Sequence, residues 1–196
     1  MSVVYYDFKF RSKCSITVLP GLPGEGPSPF QFHDVGESSF REGIAIRVDP
    51  VESSSWVGNF QRGVGGISAV FHTFLEDQIG VVAEGRGYLV SIHQPSRYSI
   101  IESVDPIMWV GAIEALDVLL IGDPTRIHCF GKEGLKWRSE CISTYSYRVS
   151  SVSERRITGT GVDLPNNALV EFAIDPRNGS TRGGVSRSPS CVDDSE

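Results

Sequence analysis

This chain has no long apolar run, no closely spaced cysteine pair and no block of basic charge, and each absence removes a class of protein. The longest apolar runs, such as Val118 to Ile121, are strand-sized and far below the ~20 residues that a membrane-spanning helix needs. The first residues, MSVVYYDFKFRSK, lack a basic region followed by a continuous apolar core and a small-residue cleavage site, so the expectation is of no secretory signal and a cytoplasmic address. The four cysteines, Cys14, Cys129, Cys141 and Cys191, include no C-x-x-C pair. No metal or other cofactor is therefore expected, and in a reducing compartment all four should be thiols. At a net charge of −6 the chain offers no clustered cationic surface, so no nucleic-acid partner is expected.

The usual catalytic signatures are missing as well. After Gly58 and Gly63 a P-loop requires Lys and then Ser or Thr, but Val64 and Gly65 follow. A dinucleotide fingerprint begun at Gly63 and Gly65 meets Ser68 where its third glycine belongs. A serine elbow is approached by Gly66 and Ser68 but fails at Val70. What remains is a chain with 40% apolar residues and 196 positions, enough to bury one ordinary core without covalent staples.

What is present is β grammar. Val4, Tyr6, Phe8 and Phe10 alternate with Tyr5, Asp7 and Lys9, the period-2 pattern of a strand with one inward face. Cys14 to Leu19 reads as the returning arm of that hairpin, and Pro20 to Pro29 as a loop, since its prolines remove donors and its glycines admit unusual dihedrals. Gly43 to Val48 is a short strand. Trp56 to Phe71 carries four glycines between Gly58 and Gly66, a density suited to tight turns or to close approach of another segment or a ligand. The windows Val70 to Leu75 and Trp109 to Leu120 admit either a helix or strand, turn and strand. Residues 186–196 are polar, end in acid, and are expected to form a disordered tail.

Sliding the chain by about 38 residues lays Val81 and Val82 on Leu119 and Leu120, Leu89 on Ile127, and the turn residue Gly85 on Asp123. A second step reaches Ile157 and, after an insertion at Leu164 to Asn167, the strand Ala168 to Ile174. In the middle unit a three-residue loop, Lys132 to Gly134, would close on Gly131 and Leu135. Cys129 then opposes Trp137, Ile127 opposes Ser139, and His128 pairs with Arg138 on an outer face. A slip by one residue would set the apolar arm against charge, so burial selects this register. The same register places Cys129 and Cys141 too far apart for a bridge between them.

Cys129 to Trp137 (CFGKEGLKW) resembles the strand, glycine turn and tryptophan of quinoprotein-type (PQQ-like) β-propeller blades, and Phe172 to Gly179 (FAIDPRNG) resembles the turn of such a blade. Gly134 stands one residue nearer its tryptophan than in that pattern, Gly131 replaces an acidic residue, and the third unit has no tryptophan. The resemblance implies blade-like units. Three of them are fewer than the ~4 blades of a closed propeller. The expected fold is all-β and mainly antiparallel, an open or sandwich-like assembly of repeated hairpins in blade-like units of about 38 residues, not a full closed propeller. It is expected as a single β domain, 1–185, with an N-terminal hairpin region 1–50 and a repeat-built region 56–185. As a whole the chain also resembles small all-β proteins of bacteria, which implies no activity.

The functional expectation is a non-catalytic cytoplasmic module that binds a protein partner, immunity or antitoxin roles included, or a second copy through unpaired edges. The residues expected to serve ligand or partner are Trp56, Asn59, Arg62, Tyr145 and Tyr147, because aromatics supply contact area with few rotamers to freeze. Tyr145 and Tyr147 share a face if they lie on a strand. The alternatives are a small-molecule or carbohydrate module using the Gly58 to Gly66 loop with Trp56, and a hydrolase using His72 or His33 with neighbouring carboxylates. No catalytic residue and no metal ligand is assigned.

Overall fold

The structure is a computed structural model that describes residues 2–33 and 43–185. The expected tail and Asp34, the neighbour of His33, lie outside the described residues. Among the described residues the strands run β1 (Val4–Tyr6), β2 (Cys14–Val18), β3 (Phe30–Phe32), β4 (Ile44–Pro50), β5 (Trp56–Phe60), β6 (Ala69–His72), β7 (Gln78–Ala83), β8 (Arg86–Ser91) and β9 (Tyr98–Ile100). They continue with β10 (Trp109–Ile113), β11 (Val118–Gly122), β12 (Ile127–Gly131), β13 (Gly134–Arg138), β14 (Tyr147–Val152), β15 (Ile157–Asp163), β16 (Ala168–Ile174) and β17 (Thr181–Gly183). One short 3-10 turn, Glu114–Leu116, joins β10 to β11. The Trp109 to Leu120 window is thus strand, turn and strand, and Val70 to Leu75 is the end of β6 followed by a turn.

The chain divides into two compact units, Met1–Ile107 and Met108–Glu196. The first holds sheets ordered β1-β6-β7-β8-β9 and β2-β4-β5-β3, and the second holds β10-β11-β12-β13 and β14-β15-β16-β17. Each sheet is open. Three of them contain a four-strand antiparallel meander in chain order, and the second strands of these meanders begin at Gln78, Val118 and Ile157, steps of about 40 residues. The blade-like repeat is therefore real at the level of backbone pairing, and Leu164 to Asn167 is the β15–β16 loop.

Alternation along the strands decides which sheets face each other. In the first unit Ile44, Ile46 and Val48 on β4 pack with Phe32 and Phe60 against Val81, Tyr88 and Val90. In the second, Leu120, Ile127 and Cys129 pack against Ile157, Phe172 and Ile174, with Ile142 beside them. Each unit is thus a sandwich of two sheets over one apolar layer, the arrangement in which inward residues of both sheets interdigitate. The run Val118 to Gly122 is buried at every position, which explains its unbroken apolar character.

Three sequence expectations need correction. The Val4 to Phe10 segment does not pair with Cys14 to Leu19. Strand β1 joins β6 in parallel, while β2 pairs antiparallel with β4. Lys9, at φ 35, and the Phe10 N–H to Phe8 carbonyl bond break the extended run between them. The β12–β13 turn is two residues long, closing on Gly131 and Gly134, with Gly134 at φ 103. Cys129 still faces Trp137 because a bulge at Lys136 restores the register. Finally, Cys14 and Cys129 are free thiols but Cys141 is disulfide-bonded, so the expectation of four thiols does not hold.

Candidate functional site

The five expected site residues do not form one site. Trp56, Asn59 and Arg62 belong to the first unit, Tyr145 and Tyr147 to the second. Trp56 is buried and donates its indole N–H to the Ile92 carbonyl at 2.8 Å. Asn59 is buried too, accepting from Gly43 N at 2.9 Å and donating to Gln31 Oε1 at 2.7 Å. Both hold elements together. Arg62 pairs with Glu84 at 2.9 Å, and the two line a surface pocket of about 250 Å³ with Val3, Val18, Ile44 and Ser68.

The glycine-dense loop is occupied by the protein's own backbone. Gly63 N donates to Ala83 O at 2.8 Å, Gly85 N to Ile67 O at 2.9 Å, Ile107 N to Gly85 O at 2.8 Å and Ile67 N to Ile107 O at 3.0 Å. Three segments thus share one hydrogen-bonded knot around the β7–β8 turn. At Gly85, φ +90, a Cβ would overlap the Gly65 carbonyl oxygen and come within 2.9 Å of Pro106 Cβ. In the loop itself, Gly63 and Gly66 are crowded by the backbone of residues 84–86 and 107, whereas Gly65, at φ +120, has open space, so the segment approached belongs to this chain.

The two segments with blade-like sequence meet in the second unit. Trp137 donates its indole N–H to Pro176 O at 2.9 Å, and a Cβ at Gly179 would lie 2.7 Å from the indole ring. The hairpin CFGKEGLKW and the turn FAIDPRNG are thus one packing element.

The histidines divide differently from expectation. His128 is buried, although the outer face of its hairpin was expected to be exposed. Its Nε2 lies 2.7 Å from Asp123 Oδ2. Because a carboxylate only accepts, Nε2 carries the hydrogen. The other Asp123 oxygen accepts from Thr125 N at 2.6 Å, Thr125 Oγ1 at 2.9 Å and Arg126 N at 2.8 Å. Burial pushes the Asp123 carboxyl up, but the bonds from His128, Thr125 and Arg126 outweigh it and hold the group below its ordinary value. Aspartate here is a turn clamp. His72 is half-buried beside Tyr5, its ring edge-on at 6.0 Å, and burial lowers its pKa. Burial also pushes the Cys129 thiol up to about 11, which leaves it inert as a nucleophile at neutral pH. Among the described residues no group of three or more His, Cys, Asp or Glu could hold a metal ion.

Tyr145 and Tyr147 are not an exposed pair. Tyr147 begins β14, sets its ring against Phe172 at 6.0 Å, and donates to the Arg126 carbonyl at 3.2 Å. Burial, and after it the charge of Asp123, raises its pKa. Tyr145 is 68% exposed. Beside it, Thr144 Oγ1 accepts from Leu164 N at 3.0 Å, which brings exposed Leu164 to the same end of the sheet. Val162 there faces Leu169 across the β15–β16 ladder, and Leu169 is 76% exposed. Tyr145, Leu164 and Leu169 thus concentrate exposed apolar surface at one end of one sheet, which scattered surface residues do not do.

The backbone beneath this patch has an open side. Strand β16 pairs with β15 along its whole length, Ala168 to Ile174, but β17 covers only Phe172 to Ile174. Gly184 N extends that cover to the Glu171 carbonyl. Among the described residues, no strand lies along the far side of Ala168 to Val170. The exposure of Tyr145 is expected from sequence, but this edge is not, since a strand's free side depends on where its neighbour stops.

No family model matches this chain, and no curated protein matches it. Among solved structures, the crystal structure of the N-terminal domain of Nup159 is similar over 94% of this chain at 14% identity and a TM-score of 0.41. The chain spans 54% of that domain's length. No helix among the described residues is long and apolar enough to cross a membrane.

Proposed function

We propose that this chain is a protein-interaction β module that takes an extended segment of a partner as an added strand along β16. The observation that carries the reading is the open side of Ala168 to Val170 beside exposed Leu169, Leu164 and Tyr145. Strand addition draws affinity from main-chain hydrogen bonds and selectivity from alternate side chains. Leu169 and Glu171 lie two apart and share a face, so the fitting segment alternates an apolar residue with a basic one. The net charge of −6 favours such a partner over a second, equally acidic copy.

A small-molecule module is the alternative. Its support is the pocket beside Arg62, about 250 Å³, which falls below the ~300–1,000 Å³ of ordinary ligand sites. The glycine loop lends it nothing, being filled by the chain's own backbone. The disulfide at Cys141 favours an oxidising compartment over the cytoplasm.

Selection from a displayed library of ten-residue peptides tests the partner reading. Enriched peptides should alternate apolar and basic residues, slow amide exchange at Leu169 and Val170, and lose about tenfold or more in affinity with Leu169→Asp. Peptides indifferent to that substitution, or a chain that only dimerises through this edge, would overturn it.

A further inference from the structure

Four segments of the first unit converge on one rim. Val51 N donates to Lys13 O at 2.8 Å, Lys13 N to Glu76 O at 3.3 Å, and Ile92 N to Asp77 O at 2.9 Å. These bonds bind the residues ahead of β2, the β4–β5 turn, the β6–β7 turn and the end of β8 into a fixed backbone frame. Three side chains of different turns meet on it. His93 Nδ1 lies 3.1 Å from Ser53 Oγ, and His93 Nε2 lies 3.4 Å from Asp77 Oδ1. Lys13 Nζ reaches the same Asp77 oxygen at 3.2 Å.

The chemistry of the donors sets the direction of this chain of contacts. With the imidazole hydrogen on Nε2, the nitrogen nearer the acceptor Asp77, the Nδ1 lone pair is left to face the Ser53 hydroxyl. A hydroxyl, a ring nitrogen able to take its proton, and a carboxylate that orients the ring are the three roles of an acyl-transfer triad, defined by geometry and not by chain order. The carboxylate contact is an ion-pair distance of 3.4 Å without a hydrogen bond, at an oxygen shared with Lys13, and such contacts often tighten only when substrate is seated.

We propose that Ser53, His93 and Asp77 form a second functional site of this chain, a solvent-facing hydrolase of small carboxylic esters. Ser53 is exposed, and exposed Val51 and Leu75 stand two residues from Ser53 and Asp77, so the rim suits a short apolar acyl group. Ser53 Oγ attacks the ester carbonyl while its proton passes to His93 Nδ1. The new Oγ–C bond forms, the C–O bond to the alcohol breaks, and that proton leaves with the alkoxide. Water then attacks the acyl carbon and gives a proton to Nδ1; the new C–O bond to water forms as the acyl C–Oγ bond breaks, the carboxylic acid leaves, and the proton returns from Nδ1 to Ser53 Oγ. Ser53 and His93 are the catalytic residues; Asp77 is a positioning residue.

The test uses the full chain with p-nitrophenyl acetate and a fluorophosphonate probe. The probe should label Ser53, identified by peptide mass mapping, and labelling should fall about tenfold or more in His93→Ala while Ser54→Ala leaves it intact. Ester turnover should drop to the uncatalysed rate in Ser53→Ala. Asp77→Asn should lower kcat about tenfold with KM nearly unchanged, and Asp77→Glu should restore part of it. Ser53, Ser54 and Asp77 are exposed and His93 is half-buried at the rim, so melting curves of the variants should nearly superimpose. Absence of a Ser53 adduct, or an adduct formed equally fast in His93→Ala, would overturn the proposal.

Discussion

The β7–β8 and β11–β12 turns occupy the same place in successive repeat units, and they are held by different balances of backbone and side chain. At the first, Glu84 and Gly85 take φ 46 and 90 and close a two-residue hairpin between Ala83 and Arg86. Its stability comes mainly from backbone, through hydrogen bonds with residues 63, 67 and 107, with Ser68 Oγ accepting from Glu84 N and Arg62 pairing with the Glu84 side chain. At the second, one side chain adds most of the bonds: Asp123 accepts from two amides, a hydroxyl and His128, beside backbone bonds from Ile142 N to Thr125 O and from Asp123 N to Arg126 O. The repeat thus specifies where the chain reverses and leaves open what holds the reversal.

The largest expected effect breaks the backbone solution. Gly85→Ala puts a Cβ into the Gly65 carbonyl at a positive φ, where neither the knot nor the turn can relax independently. A loss of about 3 kcal/mol or more follows, of the size given by forced strain in a packed site. Urea unfolding should record it as a lowered midpoint. A loss below about 1 kcal/mol would mean that the knot is not needed, and the contrast between the turns would collapse.

Asp123→Ala breaks the side-chain solution and should cost about 2–3 kcal/mol, because it removes four hydrogen bonds and leaves buried His128 without its acceptor. Its pH signature separates it from Gly85. The folded Asp123 pKa is depressed below the ordinary 3.8, so its contribution is complete above that value and is lost as pH falls through the lower folded one. Unfolding midpoints of wild type and Asp123→Asn, followed from pH 5 downwards, should converge; Gly85→Ala should stay offset by a constant amount. Parallel curves for Asp123→Asn would show that the carboxylate carries no linked stability.

How far these features were legible in sequence follows the range of the force responsible. The pairing of Cys129 with Trp137 could be read from burial alone, because a slipped register exposes a whole apolar face. The length of the turn between them could not, since a bulge at Lys136 compensates for one residue fewer in the loop. Strand β1 escaped because its parallel pairing with β6 has no turn to announce it, and the same holds for β3 on β5. Tyr145 is exposed, as expected, but Tyr147 and His128 are drawn inward by single polar partners, the Arg126 carbonyl 21 positions away and the Asp123 carboxylate five positions away. Ser53, Asp77 and His93 sit in three separate turns, and only the folded rim makes them neighbours.

The smallest effect sharpens the comparison most. Tyr147 on β14 donates to the Arg126 carbonyl at 3.2 Å, so the second turn has a side-chain tie from another sheet in addition to its own aspartate and the Ile142 N to Thr125 O bond. Tyr147→Phe keeps the ring against Phe172 and removes only the hydroxyl. If Asp123 is the main clamp, the cost should be about 0.5–1.5 kcal/mol, that of one ordinary hydrogen bond. The double variant Tyr147→Phe with Asp123→Ala should then exceed the sum or fall short of it by ~0.5 kcal/mol or more, since both ties act on Asp123 to Arg126 and neighbours couple. Strict additivity in urea unfolding would mean that the tyrosine and the aspartate hold independent parts of the turn, making the β11–β12 reversal a multi-point network like the one at Gly85.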